Sequence, residues 1–204
     1  MGGDPTRITS NTAGGLTLDD ARLQLSRLSA GAGKPLREVW LALAKLASVA
    51  LRVDRVGVWV LTDGGRAIRN LYLLQRSGNH VFQGALLRAS DFPSYFKAIQ
   101  QLRIVCAADA VRSEFTRELL PAYLQPLGIT SMLDAPIFLD GELAGVVCHE
   151  HIGPMRTWTD AECEFAAAVA RAGAAQSRPE CARCHAQRGR AQDHRRRCRS
   201  AARE

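Results

Sequence analysis

Gly141-Glu142-Leu143-Ala144-Gly145-Val146-Val147-Cys148-His149-Glu150-His151, followed seven residues on by Trp158-Thr159-Asp160-Ala161-Glu162, decides how this chain folds. Successive side chains of a strand point to opposite faces. The alternation therefore predicts Leu143, Gly145, Val147, His149 and His151 on one face and Ala144, Val146, Cys148 and Glu150 on the other. The run is apolar from Leu143 to Cys148 and then abruptly polar, so its far end meets water, a ligand or a partner. Thr159 and Glu162 have the spacing of a reciprocal N-terminal cap, which starts a helix reaching about Ala175.

Upstream, Ser131 to Leu139 reads as the preceding strand, joined to Glu142–His151 by an Asp140-Gly141 hairpin turn. Further back the same grammar repeats. Thr17 caps a helix from Leu18 that Gly31 to Pro35 ends, and a second helix runs from Leu36 to about Leu51. Val53 to Leu61 is a β-branched strand, Asp63-Gly64-Gly65 a turn, and Ile68 to Leu74 its partner, with Ser77-Gly78-Asn79 as another turn. Asp91-Phe92-Pro93 opens a short helix, Arg103 to Ala107 is a short strand, and Glu114 to Leu127 is helical but interrupted by Pro121 and Pro126. Hairpin connections dominate, so the expected class is α+β with a central antiparallel sheet of about six strands flanked by helices.

The 204 residues carry a formal charge of +7, but unevenly. Residues 177–204 hold nine arginines against Glu180, Asp193 and Glu204, a net of +6 that leaves +1 for residues 1–176. A body so near neutrality carries no electrostatic footprint for nucleic acid, and only the tail offers a sequence-independent, salt-sensitive contact of that kind. No window approaches the length of a membrane span, and Met1 to Thr17 lacks the apolar core of a signal peptide. The expectation is a cytoplasmic protein without a membrane partner. Cys106, Cys148 and Cys163 lie in apolar stretches and read as small buried hydrophobes of a reducing compartment.

The tail is a separate problem. Cys181-Ala182-Arg183-Cys184-His185 matches the pattern for covalent haem attachment, and Cys181, Cys184, His194 and Cys198 make a four-donor zinc set. Residues 177–204 contain no Leu, Ile, Val, Met, Phe, Trp or Tyr, so they have little to offset the entropy of ordering. Their composition is what a GC-rich gene gives when read out of frame. The expected organisation is a disordered segment 1–17, one domain over 18–176 with its core at 35–176, and a basic tail 177–204 that is disordered or frame-slipped.

With this element order in place, the chain resembles a GAF domain of bacterial sensory and cyclic-nucleotide signalling proteins. The resemblance rests on Val53-Asp54-Arg55-Val56-Gly57-Val58-Trp59, Pro93-Ser94-Tyr95-Phe96, Gly128 to Ile137, Gly145 to His151, and Trp158-Thr159. It implies a six-stranded antiparallel sheet, one face of which encloses a small-molecule pocket. It also implies terminal helices that pair between protomers and pass a signal to an output domain, which is missing from this chain. The phytochrome-type cysteine pattern for bilin attachment is not found, and no cofactor is named.

The residues expected to line a ligand site are Trp59, Tyr72, Tyr95, Phe96, Asp109, Phe115, Tyr123, Cys148 and Glu150, apolar walls with a few polar groups. The plainer reading of the aromatics is that they fill the core. His149 and His151 offer two imidazoles on one strand face, but no third metal ligand is near in sequence, and strand-end polar residues bonded to loops are the preferred account. No nucleophile elbow, phosphate loop or dinucleotide turn is found, which favours a binding module over an enzyme. The resemblance leaves one enzymatic alternative, a free methionine sulfoxide reductase, in which Cys106 and Cys148 converge. The remaining alternative is an interaction module with an empty pocket. The stripes Val39/Leu43/Leu46/Ala50 and Phe165/Val169 motivate a homodimer through the helices at 36–51 and 160–175, with an unidentified small molecule as the ligand.

Overall fold

The computed structural model describes residues 16–30, 34–76, 80–82 and 84–177. Helices α1 (Leu18–Ala30) and α2 (Leu36–Ala50) lead into β1 (Arg55–Thr62) and β2 (Ala67–Gln75), then the short strands β3 (His80–Phe82) and β4 (Leu86–Arg88). Helix α3 (Pro93–Gln101), β5 (Val105–Ala107) and a run of helical turns from Arg117 to Leu127 precede the long hairpin β6 (Ile129–Leu139) and β7 (Glu142–Ile152). A last helix covers 160–177. The sheet is antiparallel in the order β3-β2-β1-β7-β6-β5, with β4 also on β2.

The local signals explain these elements. Asp140 and Gly141 both take positive φ, 52° and 87°, as the tight β6–β7 turn demands. Thr17 Oγ1 accepts the Asp20 N–H at 3.1 Å, capping α1. The Thr159/Glu162 box closes as read, with the Thr159 N–H donating to Glu162 at 2.9 Å and the Glu162 N–H to Thr159 Oγ1 at 3.3 Å. The interruption expected at Pro121 and Pro126 takes the form of a 3-10 turn, a π-type turn and a single α-turn between Arg117 and Leu127.

The sheet separates two cores. One side holds α1, α2 and the 160–177 helix over Val56, Val58, Leu133, Ala135 and Val147. Phe165, Leu43 and Val169 are sealed there, each contributing about 1.5–3 kcal/mol by leaving water. The other side holds α3 and the helical turns over Trp59, Ile68, Met132, Val146 and Cys148. Two glycines permit close approaches. A Cβ at Gly145 would sit 2.1 Å from the Trp59 carbonyl oxygen, and one at Gly173 would sit 1.9 Å from the Trp40 ring, where α2 meets the last helix.

Several expectations change. A bulge opposes Ile137 to Gly145 but Phe138 to Leu143, leaving Ala144 as the extra residue. Leu143 therefore joins the α3 side and Ala144 the helix side, reversing the predicted faces for these two. Cys106 is exposed and Cys163 half-buried, because Val105 and Ala107 turn into the α3-side core and leave Cys106 outward. Both helical stripes read as a dimer seam are buried inside one protomer, against the sheet and each other. The strands β3 and β4 were not anticipated. The N-terminal segment, the Gly31–Gly33 break, the turn at 77–79 and every reading of the tail from 178 onward lie outside the described residues. Among the described residues no helix is long and apolar enough to cross a membrane.

Candidate functional site

Strand pairing arranges the α3 side of the sheet in rows. The first is Met132, Glu150, Arg55 and Gln75 across β6, β7, β1 and β2. The second is Asp134, Cys148, Gly57 and Leu73, and the third Pro136, Val146, Trp59 and Asn70. Gly57 leaves a hollow in the middle row, and the Trp59 indole nitrogen fills its edge, 2.7 Å from where a Cβ would stand.

Two hydroxyl-bearing rings close over these rows. From α3, the Tyr95 hydroxyl donates to Asp134 Oδ2 at 2.7 Å and lies 3.5 Å from Cys148 Sγ. From the helical turns, the Tyr123 hydroxyl donates to Glu150 Oε1 at 2.7 Å, while Arg55 Nε donates to Glu150 Oε2 at 2.8 Å. Arg55 Nη1 continues the row to Gln75 Oε1 at 3.1 Å. Trp59 and Tyr123 meet edge-to-face with centroids 6.0 Å apart, and Tyr95 and Phe96 at 6.3 Å. The start of α3 is fixed to the helical turns by Glu118, which accepts from the Ser94 N–H at 2.9 Å and its hydroxyl at 2.7 Å.

Burying Arg55 and Glu150, 4% and 0% exposed, is tolerable because the two charges pair and both Glu150 oxygens and the Arg55 Nε and Nη1 find partners. Asp134 is different. It is fully buried, burial raises its pKa to about 7, and the nearby Glu150 charge adds to the rise. Burial also pushes the Tyr95, Tyr123 and Cys148 groups upward. Asp134 therefore changes charge close to neutrality inside an apolar cluster. Its Oδ1 and the Trp59 Nε1 are sealed from water and make no full hydrogen bond, although the Cys148 thiol and the His149 N–H act on the Asp134 carboxyl. Such atoms are rare in folded proteins and cost free energy unless something binds them.

Of the expected ligand-site residues, Trp59, Tyr95, Phe96, Tyr123 and Cys148 come together in this cluster. Glu150 joins them through Tyr123, and Phe115 packs on the margin. Two do not join. Tyr72 is paired with Val58 and packs on the helix side of the sheet. Asp109 is committed to its own loop, where Oδ1 accepts the N–H groups of Val111 and Arg112, each at 3.1 Å. Arg55 and Asp134 were missed. The signal was present in both cases: a charged residue inside an apolar strand run must find a partner or lose its charge.

The histidines sit apart, and His149 Nε2 and His151 Nδ1 are likewise buried without a hydrogen-bond partner. His149 is buried on the helix side, its Nδ1 2.8 Å from the Leu133 carbonyl, with a pKa lowered to about 4 by burial. His151 lies 3.3 Å from Asp54 Oδ2. Among the described residues no group of three or more His, Cys, Asp or Glu is placed to hold a metal. Cys106 and Cys148 lie on opposite faces of the sheet and do not converge. Open clefts lie elsewhere, one of about 660 Å³ between α1 and the 160–177 helix and one of about 550 Å³ beside α2 and the β1–β2 turn. Neither contains the sealed polar atoms, so the α3-side cluster is the stronger candidate.

The GAF domain family model matches residues 35–176. The chain is similar to the GAF domain of a phosphoenolpyruvate-protein phosphotransferase from Coxiella burnetii, with 18% identity, TM-score 0.62, and 81% of this chain and 96% of that one covered. It is similar to the corresponding domain from Acinetobacter, with 14% identity, TM-score 0.63, and 80% and 94% covered. It is also similar to the phycocyanobilin-bound GAF domain of a cyanobacterial phytochrome, with 20% identity, TM-score 0.61, and 77% and 95% covered. No curated protein matches.

Proposed function

This chain belongs to the GAF domain family, and from that premise we propose that it is a non-catalytic regulatory domain of a signal-transduction protein that senses a small molecule on the α3 side of its sheet. The observation that carries the reading is the pair of sealed polar atoms, Trp59 Nε1 and Asp134 Oδ1, beside a buried network whose hydroxyl, carboxylate and guanidinium groups bond one another. The indole supplies a donor, and the Asp134 carboxyl supplies an acceptor or, when protonated, a donor. Gly57 and Asp134 share one cross-strand row two strands apart, about 10 Å between backbones. A compact ring system with an acceptor at one end and a polar group at the other matches that span. The phycocyanobilin-bound relative supports a ligand on this fold without naming the ligand here.

Occupancy would favour one placement of α3 and the helical turns and so bias the packing of the helices beyond the sheet. Pairing with a second copy would use the outward faces of α2 and the 160–177 helix, where Val49 is 46% exposed. Light scattering of the full chain checks that part. A specific observation also favours the empty-pocket module: the rings of Trp59, Tyr95, Phe96 and Tyr123 already fill the cluster. Native mass spectrometry of the protein as purified separates the two. A noncovalent excess mass that is lost on denaturation, and reduced in Trp59→Phe and Asp134→Asn, supports sensing. A bare mass in every preparation supports the empty module.

A further inference from the structure

Two thiols that the α3-side cluster does not use meet on the other face of the sheet. Strand β5 is an edge strand whose Val105 and Ala107 belong to the α3-side core. Between them Cys106 turns outward, paired across to Leu133, a residue of the helix-side core. Cys163 sits in the first turn of the 160–177 helix, where its N–H donates to the Thr159 carbonyl at 3.0 Å. Cys106 lies one residue from Ala107, whose carbonyl holds Trp158, and Cys163 follows Trp158 by five residues, so the two free thiols are brought to one edge of the sheet, where each perturbs the other's titration.

The elements that present them are anchored. Trp158 Nε1 donates to the Ala107 carbonyl, next along β5 from Cys106, at 3.5 Å. The Arg156 guanidinium stacks over the Trp158 ring, 4.2 Å from its centroid, and donates to the Leu51 carbonyl at 2.7 Å and to Glu162. The Thr159/Glu162 box then fixes the turn that carries Cys163. The segment entering the helix is thus held against β5 just ahead of Cys163.

We propose that Cys106 and Cys163 form a reversible disulfide by exchange with a low-molecular-weight disulfide, tethering edge strand β5 to the first turn of the 160–177 helix. Cys106, the exposed thiol, attacks first. Its thiolate bonds to one sulfur of R–S–S–R and expels RS⁻, which takes up the proton Cys106 lost. The Cys163 thiolate then attacks the Cys106 sulfur of the mixed disulfide, forms Cys106–S–S–Cys163 and expels the second RS⁻, again protonated. Each cysteine sulfur loses one electron, and one external disulfide is reduced to two thiols.

Burial raises both thiols, Cys163 to about 11, and the carboxylates of Glu162 and Asp160 add to the rise. Thiolate is therefore scarce at neutral pH and the exchange is slow there. The reduced pair also gains no stabilisation as thiolate, so the bridge resists reduction once formed. Because β5 contributes to the α3-side core and the helix to the opposite one, the bridge fastens the two layers together at the sheet edge.

The test uses the full chain, oxidised glutathione at mildly alkaline pH, alkylation of remaining thiols, and tryptic peptide mapping. Cys106 falls in the peptide Ile104–Arg112 and Cys163 in Thr157–Arg171, each with one cysteine. The expected result is a linked pair of these peptides, abolished by reductant and absent from Cys106→Ser and Cys163→Ser. Cys163→Ser should instead accumulate glutathione on Cys106, and buried Cys148 should stay unmodified. Amide exchange in the first turns of the helix should slow in the bridged form. Glutathione resting on Cys106 of the unsubstituted chain without the linked peptide, or Cys106 joined to Cys181, Cys184 or Cys198, would overturn the proposal.

Discussion

Asp134→Asn should change how stability depends on pH, in a sense the buried carboxyl dictates. Asp134 titrates near 3.8 when unfolded and near 7 in the fold. Between those values the folded chain keeps a proton that the unfolded chain has released, so raising the pH destabilises the fold. Above about pH 7 the full penalty applies, about 4 kcal/mol at roughly 1.4 kcal/mol per pKa unit. His149 acts in the opposite direction. Its folded pKa of about 4 lies below 6.5, so its contribution is present above pH 6.5 and is lost as the pH falls toward 4, about 3 kcal/mol in all. The two slopes oppose each other in the wild-type chain. Asparagine removes one of them while its amide oxygen still accepts from Tyr95. Urea unfolding of both proteins from about pH 4 to about pH 8 gives the difference, in which all other titrations cancel. That difference should grow by about 4 kcal/mol in favour of the variant up to about pH 7 and then level off. A difference independent of pH would refute the reasoning.

Glu150→Ala leaves the Arg55 cation and the Tyr123 hydroxyl buried without their partner, and should cost about 3–5 kcal/mol by urea midpoint. Tyr123→Phe, which removes one hydrogen bond, should cost about 1–2 kcal/mol. Gly173→Ala and Gly145→Ala should both lower Tm, but only the first should be relieved by Trp40→Leu, because the Gly145 clash is with the Trp59 backbone. Thr159→Ala should cost about 1 kcal/mol and speed amide exchange in the first turn of the last helix.

Turns and caps were legible in the sequence because their chemistry is local. Asp140-Gly141 and Thr159/Glu162 need no information from elsewhere in the chain. What the sequence hid was register. Ala144 at one bulge and Leu71 at another, where Val58 opposes Tyr72 but Trp59 opposes Asn70, each shift the side-chain alternation. Tyr72 reaches the wrong side because its partner Val58 faces the helices. Arg55 and Glu150 are 95 residues apart, and only the β1–β7 pairing sets them side by side. The helical stripes looked free because periodicity reports an apolar face, not what covers it. Here the sheet of the same chain covers them.

The sheet that divides the molecule makes its two halves chemically independent neighbours. Cys148 and His149 are adjacent in sequence, yet their side chains belong to different interiors. Substitutions with no shared contacts combine additively. Coupling between the rows around Gly57 and the seat of Trp40 against Gly173 therefore has to pass through the strands themselves, the route that ligand occupancy would use. A fold partitioned in this way can exchange the side chains of one face while the strands remain the common wall through which either face acts on the other.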